Sequence, residues 1–461
     1  MDPNAPAGRA HIVQVGHLAA SWSERFVPDP FVLAILLAGA VFVLGIAGQQ
    51  LGPLDLVRSF ASGMLAPPLL TFAFQMALIL VTGQALAEAA PVRRGLRALA
   101  ALPRTGPQAA ATVAAGAMLL STLNWGLGLV GGALLAREVG RACSQRGTPI
   151  SYPLLGAAGY MGMLIWHGGL SGSAPLAVTT SGSFGEAIPI SATVFRGTNL
   201  ALLAVLLVFV PGVFAWLGTG APNASHPALS TVETRHEQRR HEGERRRLVS
   251  RLESGLFTSL LLAVPIVTAL LLALADDGIA SIQLNFIILA FLAAGLLAHR
   301  SPRAYVAAFT VGATNASGIL LQFPIYFGAL AVTRDSGLLI DIARTFASWT
   351  DGLSAVVPLS TSAAWTTFAS AALLNLLVPS GGGQWALQSP ILVETATRLS
   401  LDRAPLVMAF AYGDELTNLL QPFWALPLLS ITGLTAKEVF GYTLLVMTLC
   451  TPLFLVALAL Q

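Results

Sequence analysis

Asp414 and Glu415 are adjacent carboxylates inside an apolar stretch that runs from 403 to 432. An ionised acid at bilayer depth is costly and marks a functional candidate. The pair could hold a coupling proton or Na⁺, or it could cap or pair at a helix break nearer the surface. His167 is the one histidine set within a comparable stretch, 152–180. An imidazole there can take up and release a proton near neutral pH, or sit neutral against a backbone carbonyl.

These groups lie in runs that break a helix, and the chain has four such runs. The first holds Ser121, Thr122 and Asn124, followed by Gly126, Gly128 and Gly131. The glycines spell G-x-G-x-x-G, but a dinucleotide fingerprint needs a preceding strand and an acid about twenty residues on, and neither is present. As a helix break, the run exposes backbone amides, and the helix that follows adds its positive end, which suits a carboxylate. Glycines for close helix packing are the plainer reading. The second run surrounds His167 with Gly168, Gly169, Ser171, Ser173 and Pro175. The third passes from Asn375 through Pro379, Ser380, Gly381, Gly382 and Gly383 to Gln384 and Gln388, a second nest of amides. The fourth carries Asp414, Glu415, Asn418 and Gln421. The expected substrate ligands are Ser121, Thr122, Asn124, Gly126, Gly128, Ser171, Ser173, Asn375, Ser380, Gly381, Gly382, Gln384, Asn418 and Gln421; the expected proton or ion carriers are Asp414, Glu415 and His167.

This chemistry binds and does not make bonds. No nucleophile with a base, no metal-ligand cluster and no Walker A motif is evident, so no enzyme, resident metal or organic cofactor is expected, only a coupling Na⁺ or H⁺. Cys143 and Cys450 are far apart and offer no disulfide framework. No buried Arg or Lys offers itself as a counter-ion; Arg196 is the nearest and also reads as an interfacial anchor. Amides, hydroxyls and dipole ends would have to hold an anion, which favours one carboxylate over two. A dicarboxylate carrier and a passive anion channel are the alternatives.

The elements that must position these runs follow from composition. The chain has 461 residues, 55% hydrophobic and only 10% charged, with a mean hydropathy of +0.73. Soluble domains carry about 25% charged residues. Long continuous stretches rich in Leu, Ala, Val and Gly favour membrane helices over a β-barrel. Stretches of spanning character lie at 31–48, 67–90, 152–180, 190–218, 254–275, 284–299, 315–333, 403–432 and 438–460.

The net charge of +3 sits in clusters that report topology and not nucleic-acid binding. Residues 233–253 hold seven Arg and five Glu and read as a cytoplasmic linker. Arg93, Arg94, Arg97 and Arg104, then Arg137, Arg141 and Arg146, mark the same side. The apolar region 107–136 between those flanks would start and end inside, as a re-entrant hairpin, with 358–396 as its counterpart. Phe31 and Phe286, Gln75 and Gln322, Asn124 and Asn375, and Ala174 and Leu426 begin or sit in similar strings at offsets of 247 to 255 residues. The extra crossing at 254–275 would invert the second copy. Arg334, Arg344, Arg398 and Arg403 would then fall outside, against the rule, softened by Asp335, Asp341, Glu394 and Asp402.

The expectation is an all-α polytopic membrane protein of inverted-topology repeats, with about nine transmembrane helices and two re-entrant hairpins. Residues 1–30 would be an N-terminal interfacial segment with no cleavable signal peptide, 31–218 the first repeat, 219–253 the cytoplasmic linker, 254–283 a connecting helix and loop, and 284–461 the second repeat. The N-terminus would be cytoplasmic and the C-terminus periplasmic. Asn124 and Asn375 would face each other across the pseudo-two-fold axis.

Pro28-Asp-Pro30, Gln75-Met-Ala-Leu-Ile-Leu-Val-Thr-Gly83, Asn124-Trp-Gly-Leu-Gly-Leu-Val130, Ala136-Arg-Glu-Val139, Ser171-Gly-Ser173, Gln322-Phe-Pro324, Val378-Pro-Ser-Gly-Gly-Gly383, Tyr412-Gly-Asp414 and Gln421-Pro-Phe-Trp-Ala-Leu-Pro427 are matching strings. Together they resemble the bacterial short-chain fatty acid transporter family (AtoE type), from about residue 25 to the end. The Arg-rich linker departs from the pattern, as does His167, where some members would have Gly. The resemblance implies uptake of a small monocarboxylate such as butyrate or acetoacetate across a bacterial inner membrane. It also implies kinship with the wider ion-transporter superfamily and its elevator motion. It assigns no residue roles. The partners expected are the substrate, the lipid bilayer and, as an option, a second copy in a homodimer, with no nucleic acid.

Overall fold

The computed structural model describes residues 30–47, 51–180, 185–219, 252–376, 378 and 380–461. The expected interfacial segment (all but its last residue) and nearly all of the Arg-rich linker lie outside the described residues. Every regular element described is helical.

Local sequence sets the helix ends of the first half. After α1 (Pro30–Ala47), α2 (Pro53–Met64) and α3 (Pro67–Ala87) start on prolines, whose missing N–H is no loss in a first turn. α4 (Ala90–Ala101) is amphipathic, burying Leu96 and Ala100 and exposing Arg94 and Arg97. α5 (Gly106–Leu123) and α6 (Trp125–Arg146) fold back on each other at Asn124. Small residues permit the approach: a Cβ on Gly128 would stand 1.8 Å from the Ser121 hydroxyl oxygen, and one on Gly132 would stand 2.8 Å from the Ala117 Cβ. α6 stops at Gly147, which takes the left-handed cap at φ 67°. Then come α7 (Tyr152–Tyr160), the single-turn α8 (Ser173–Ala177) and α9 (Gly197–Gly218).

The second half runs through α10 (Leu256–Asp277), α11 (Leu284–His299), α12 (Pro302–Asn315), α13 (Ser317–Asp335) and α14 (Leu338–Ser354). It continues with α15 (Leu359–Asn375), α16 (Gly381–Leu399), α17 (Arg403–Thr417), α18 (Pro422–Thr432) and α19 (Ala436–Ala459). The halves interlock. α6 packs on α18, α7 on α19 and α8 on α17, while α1 and α2 lie against α13. Buried hydroxyls stitch the first group: Tyr152 donates to the Thr432 carbonyl at 3.0 Å, Tyr160 to the Asn418 carbonyl at 2.9 Å and Tyr412 to the Asn199 Oδ1 at 2.9 Å. Each is worth about 1 kcal/mol net, and more is lost if one partner is left bare in the interior. α10 buries only Ser259 and Ala263, leaving a flank of Leu and Val that suits lipid tails.

The helix count corrects the expectation of about nine spans. Among the described residues four helices are long and apolar enough to cross a bilayer: Pro67–Ala87, Gly197–Gly218, Leu256–Ser281 and Ala436–Ala459. A fifth appears if α12 and α13, bent by 41°, form one span. Hydropathy counts apolar residues, not helical continuity. The stretch 152–180 breaks into α7, a 3-10 turn at Met161–Leu164, a coil and α8. The stretch 403–432 splits at Asn418–Leu420 into α17 and α18. The stretches 31–48 and 284–299 yield the shorter apolar helices Ala34–Ala47 and Leu284–His299. The two regions expected to be matching hairpins also differ: α5 lies along α6, but α15 lies chiefly along α17 and touches α16 less. The frame of inverted repeats with nine spans and two re-entrant hairpins therefore gives way. In its place stands an all-α polytopic membrane protein of a few long spans and several broken helices.

Candidate functional site

The coil between the 3-10 turn and α8 is held in place by contacts that leave no room for side chains. A Cβ on Gly169 would stand 2.6 Å from the Thr122 carbonyl oxygen, and one on Gly172 would stand 2.1 Å from that of His167. Such backbone is tolerated at depth only when its polar groups are satisfied by protein. The Leu170 N–H donates to the Thr122 carbonyl at 2.8 Å, and Asn199 Nδ2 donates to the Gly168 carbonyl at 2.9 Å.

His167 sits in this coil, fully buried. Its Nε2 lies 3.1 Å from the Ala174 amide nitrogen. A backbone amide can only donate, so Nε2 accepts and the ring proton resides on Nδ1. Nδ1 in turn lies 2.8 Å from Asp414 Oδ2. Glu415 grips the same residue from its backbone: Oε2 accepts from the His167 N–H at 2.8 Å and the Gly168 N–H at 3.3 Å. The outer oxygens, Asp414 Oδ1 and Glu415 Oε1, are buried with no hydrogen-bond partner among the described residues. Bare buried acceptors are costly, and a proton or a small cation would satisfy them. No group of three or more His, Cys, Asp or Glu suited to a metal ion occurs among the described residues.

Beneath the acids lies an amide cluster. Asn375, at the end of α15, directs Nδ2 to the Asp414 carbonyl, the Thr417 hydroxyl and Asn418 Oδ1, each at 2.9 Å. Gln421 Nε2 donates to the Asn375 carbonyl. Asn375 Oδ1 and Asn418 Nδ2 are buried and unpartnered among the described residues. Gln384 donates to the Ala371 carbonyl at 2.8 Å and to Gln388 at 3.2 Å, and its Oε1 has no partner among the described residues.

The break at residue 124 is differently used. Asn124 caps α6, accepting from the Leu127 N–H at 3.0 Å, and its Nδ2 donates to the Ile79 carbonyl of α3 at 3.1 Å. Ser171 accepts from the Trp125 N–H at 2.8 Å, a second cap supplied from the coil. Ser121 is buried against Gly128 and Gly162 with its hydroxyl unpartnered among the described residues, and Thr122 turns its hydroxyl to the Leu119 carbonyl at 2.7 Å. A Cβ on Gly126 would stand 2.8 Å from the Leu80 carbonyl oxygen, so this glycine serves a close helix approach.

One narrow pocket is lined from the first three runs and by Trp424, just past the fourth. Its polar side is Ser173, at the start of α8, with Ser380, Gly381 and Gly382, at the start of α16. Its apolar side includes Trp125, Trp166, Trp424, Met76, Met163 and Phe323. Ser380 caps α16 by accepting from the Gly383 N–H at 3.2 Å. No described residue accepts from the N–H groups of Gly381 and Gly382, and the helix dipole adds positive potential there. Trp166 Nε1 is likewise buried without an acceptor among the described residues. The free volume is about 20 Å³, room for a water-sized guest in this conformation.

Gly381 links pocket and acids. A Cβ there would stand 2.8 Å from the Trp166 ring, 3.1 Å from Asp414 Oδ2 and 3.1 Å from His167 Cε1. Ser173, Ser380, Gly381 and Gly382 thus share the pocket, and His167, Asp414 and Glu415 form the cluster beside it. Asn375, Asn418 and Gln421 lie under that cluster, Gln384 is bonded to Ala371 and Gln388, and Asn124 is committed to α3 and α6, so the two asparagines do not share a set of partners. Sequence reasoning passed over Trp166, Trp125, Trp424 and Met76, because aromatic and sulfur side chains in an apolar stretch look like ordinary core. The signal that could have found them is adjacency: Trp125 follows Asn124, and Trp166 precedes His167.

Comparison with known proteins extends over the whole of this architecture. A family model described as "Short chain fatty acid transporter" matches residues 11–461. A protein of Escherichia coli (strain K12) named for short-chain fatty acid transport is 34% identical over 458 residues, 97% of this chain and 100% of that one. A counterpart from Haemophilus influenzae, named likewise, is 31% identical over 460 residues, 97% of this chain and 99% of that one. Among solved structures, the Alcanivorax borkumensis YdaH transporter superposes with a TM-score of 0.58 at 16% identity, covering 94% of this chain and 97% of that one. Neisseria gonorrhoeae MtrF, described with a class of antimetabolite efflux pumps, gives 0.54 at 14% identity, covering 96% of each chain. At such identities the two structures speak for the fold alone.

Proposed function

Since this chain belongs to the short-chain fatty acid transporter family, a family of membrane transporters and not of enzymes, we propose that it is a secondary carrier importing short-chain monocarboxylates of the butyrate and acetoacetate class. Import is coupled to a cation and proceeds by alternating access across a bacterial inner membrane. The elevator form of that motion is carried over from the resemblance. The basic flanks around Arg94, Arg97, Arg141 and Arg146 argue for a cytoplasmic placement of that face.

The observation that carries this reading is the single residue between pocket and acids, Gly381. In the proposed mechanism the substrate carboxylate meets the N–H groups of Gly381 and Gly382, the hydroxyls of Ser173 and Ser380, and Trp166 Nε1. The alkyl chain lies against the tryptophans and methionines. A proton or Na⁺ engages Asp414 Oδ1 or Glu415 Oε1. Carboxylate and cation then sit on two sides of one helix start. Each offsets the other's charge in a medium of low polarity, where the attraction is large. Binding of one therefore favours the other, and by linkage the reverse. Movement of both together is symport.

The test is uptake of labelled butyrate and acetoacetate by proteoliposomes under imposed pH or Na⁺ gradients. Gradient-dependent accumulation with counterflow is expected. Equilibration without counterflow would make the protein a channel, and selective uptake of a dicarboxylate would reassign the substrate.

A further inference from the structure

α4 and α6 enclose a second cavity on the outside of the fold, a cleft of about 430 Å³. Its size falls in the range of small-molecule sites. It is bordered by Arg97 from α4 and by Glu138, Arg141, Ser144 and Gln145 from α6. Behind this lining Arg137 lies 3.8 Å from Glu138, and Arg146 donates to the Ala101 carbonyl at 3.1 Å.

Three guanidinium groups converge on one carboxylate here. Arg97 Nε lies 4.0 Å from Glu138 Oε2, and Arg137 Nη2 and Arg141 Nη1 each lie 3.8 Å from Glu138 Oε1. At such separations the charges attract but no hydrogen bond forms. Among the described residues Glu138 is the one carboxylate paired with these three guanidinium groups, so their positive charges outnumber the negative one that faces them. Arg137 Nε is buried with no partner among the described residues. Burial first, and then the Arg141 guanidinium beside it, hold Arg137 below its ordinary range. Arg93 adds to that repulsion, and Arg94 stands exposed on the same helix. An anion in the cleft would relieve all of these strains together.

Position selects among anions. α3 is one of the long apolar helices, it ends at Ala87, and α4 begins at Ala90 as an amphipathic helix with Leu96 and Ala100 turned inward and Leu102 exposed beyond it. A helix so placed lies at the level of lipid headgroups. We infer that the α4–α6 cleft binds the phosphodiester headgroup of an anionic phospholipid, with Arg97 and Arg141 as its ligands and Arg137 adding positive charge behind Glu138. No role in the transport pocket is implied.

The test is native mass spectrometry of the purified full chain in mixtures of phosphatidylglycerol and phosphatidylcholine, with inorganic phosphate as a competitor. Each basic residue near an anionic surface is worth about fivefold in affinity, so Arg97→Gln with Arg141→Gln should lower the preference for phosphatidylglycerol about thirtyfold. Glu138→Gln, which removes the opposing carboxylate, should raise it about fivefold, and decides the matter if the double variant does not fold. An equal retention of both lipids by the wild type, or a preference unmoved by these substitutions, overturns the inference. So does displacement of the lipid by millimolar phosphate, which would make the cleft a site for a soluble anion.

Discussion

His167 Nδ1 and Asp414 Oδ2 stand 2.8 Å apart although 247 positions separate them in the chain. The contact fixes the ring's tautomer, because Ala174 already occupies Nε2. It also joins an unwound segment of the first half to α17 of the second. A structural role for the contact and the proposed coupling role of Asp414 can be separated by substitution. Asp414→Asn retains an acceptor for the Nδ1 proton but loses the charge. We expect folded protein with counterflow intact and gradient-driven accumulation abolished. Coupling that persists in this variant would clear Asp414 of the role.

Glu415→Gln is the companion case. The amide oxygen can still accept from the His167 and Gly168 N–H groups, so thermal stability should fall by no more than about 1 kcal/mol. Uptake driven by a pH gradient should drop more than tenfold if Glu415 carries the proton, while exchange is spared. Equal losses in both assays would point to a structural role alone.

Gly381→Ala places a methyl group against the Trp166 ring and Asp414. Alanine is the better helix former, so a loss cannot come from propensity. Overpacking costs about 1–3 kcal/mol. A methyl group that must be displaced at a similar cost for substrate to enter should raise KM for butyrate about fivefold or more. A variant with wild-type KM would move the binding site elsewhere.

Trp166→Phe removes an indole N–H that has no acceptor among the described residues and keeps most of the ring. A hydrogen bond to a charged group is worth about 1.5–3 kcal/mol, so KM for butyrate should rise about tenfold. The variant's melting temperature should stay near that of the wild type, since no intramolecular bond is lost.

Asn124→Ala should behave in the opposite way. Its amide satisfies a cap and a carbonyl of α3, and losing both costs about 2 kcal/mol of stability. Melting temperature should fall, with KM in the surviving protein nearly unchanged. A selective rise in KM at constant stability would instead make Asn124 a substrate ligand.

The sequence was legible where chemistry is local. Glycine, serine and proline runs named all four helix breaks, and Asp414, Glu415 and His167 stood out against apolar neighbours. What joins those runs is not local. Nothing near residue 167 announces Asp414, and nothing near Ser380 announces Trp166. Helix continuity was misjudged for the same reason that hydropathy misleads in general: residues 152–180 are apolar enough to span, yet Gly168, Gly169 and Gly172 admit a tight coil that contacts elsewhere stabilise. The packing of α15 on α17 rather than along α16 could not be read from any string match, since it depends on Gly413 making way for the Phe368 carbonyl.

α16 begins with three residues that lack side chains, and a different wall presses on each. Gly381 faces Trp166 and the acid pair, Gly382 faces Met76 and Phe323, and Gly383 faces the Tyr326 ring. A helix end shaped like this can pivot without dragging a side chain through any neighbour. A small tilt of this one helix would reach the pocket, the acid pair and the α13 side in a single stroke. Bulk added at any of the three would hinder such a tilt, so turnover should fall along with apparent affinity.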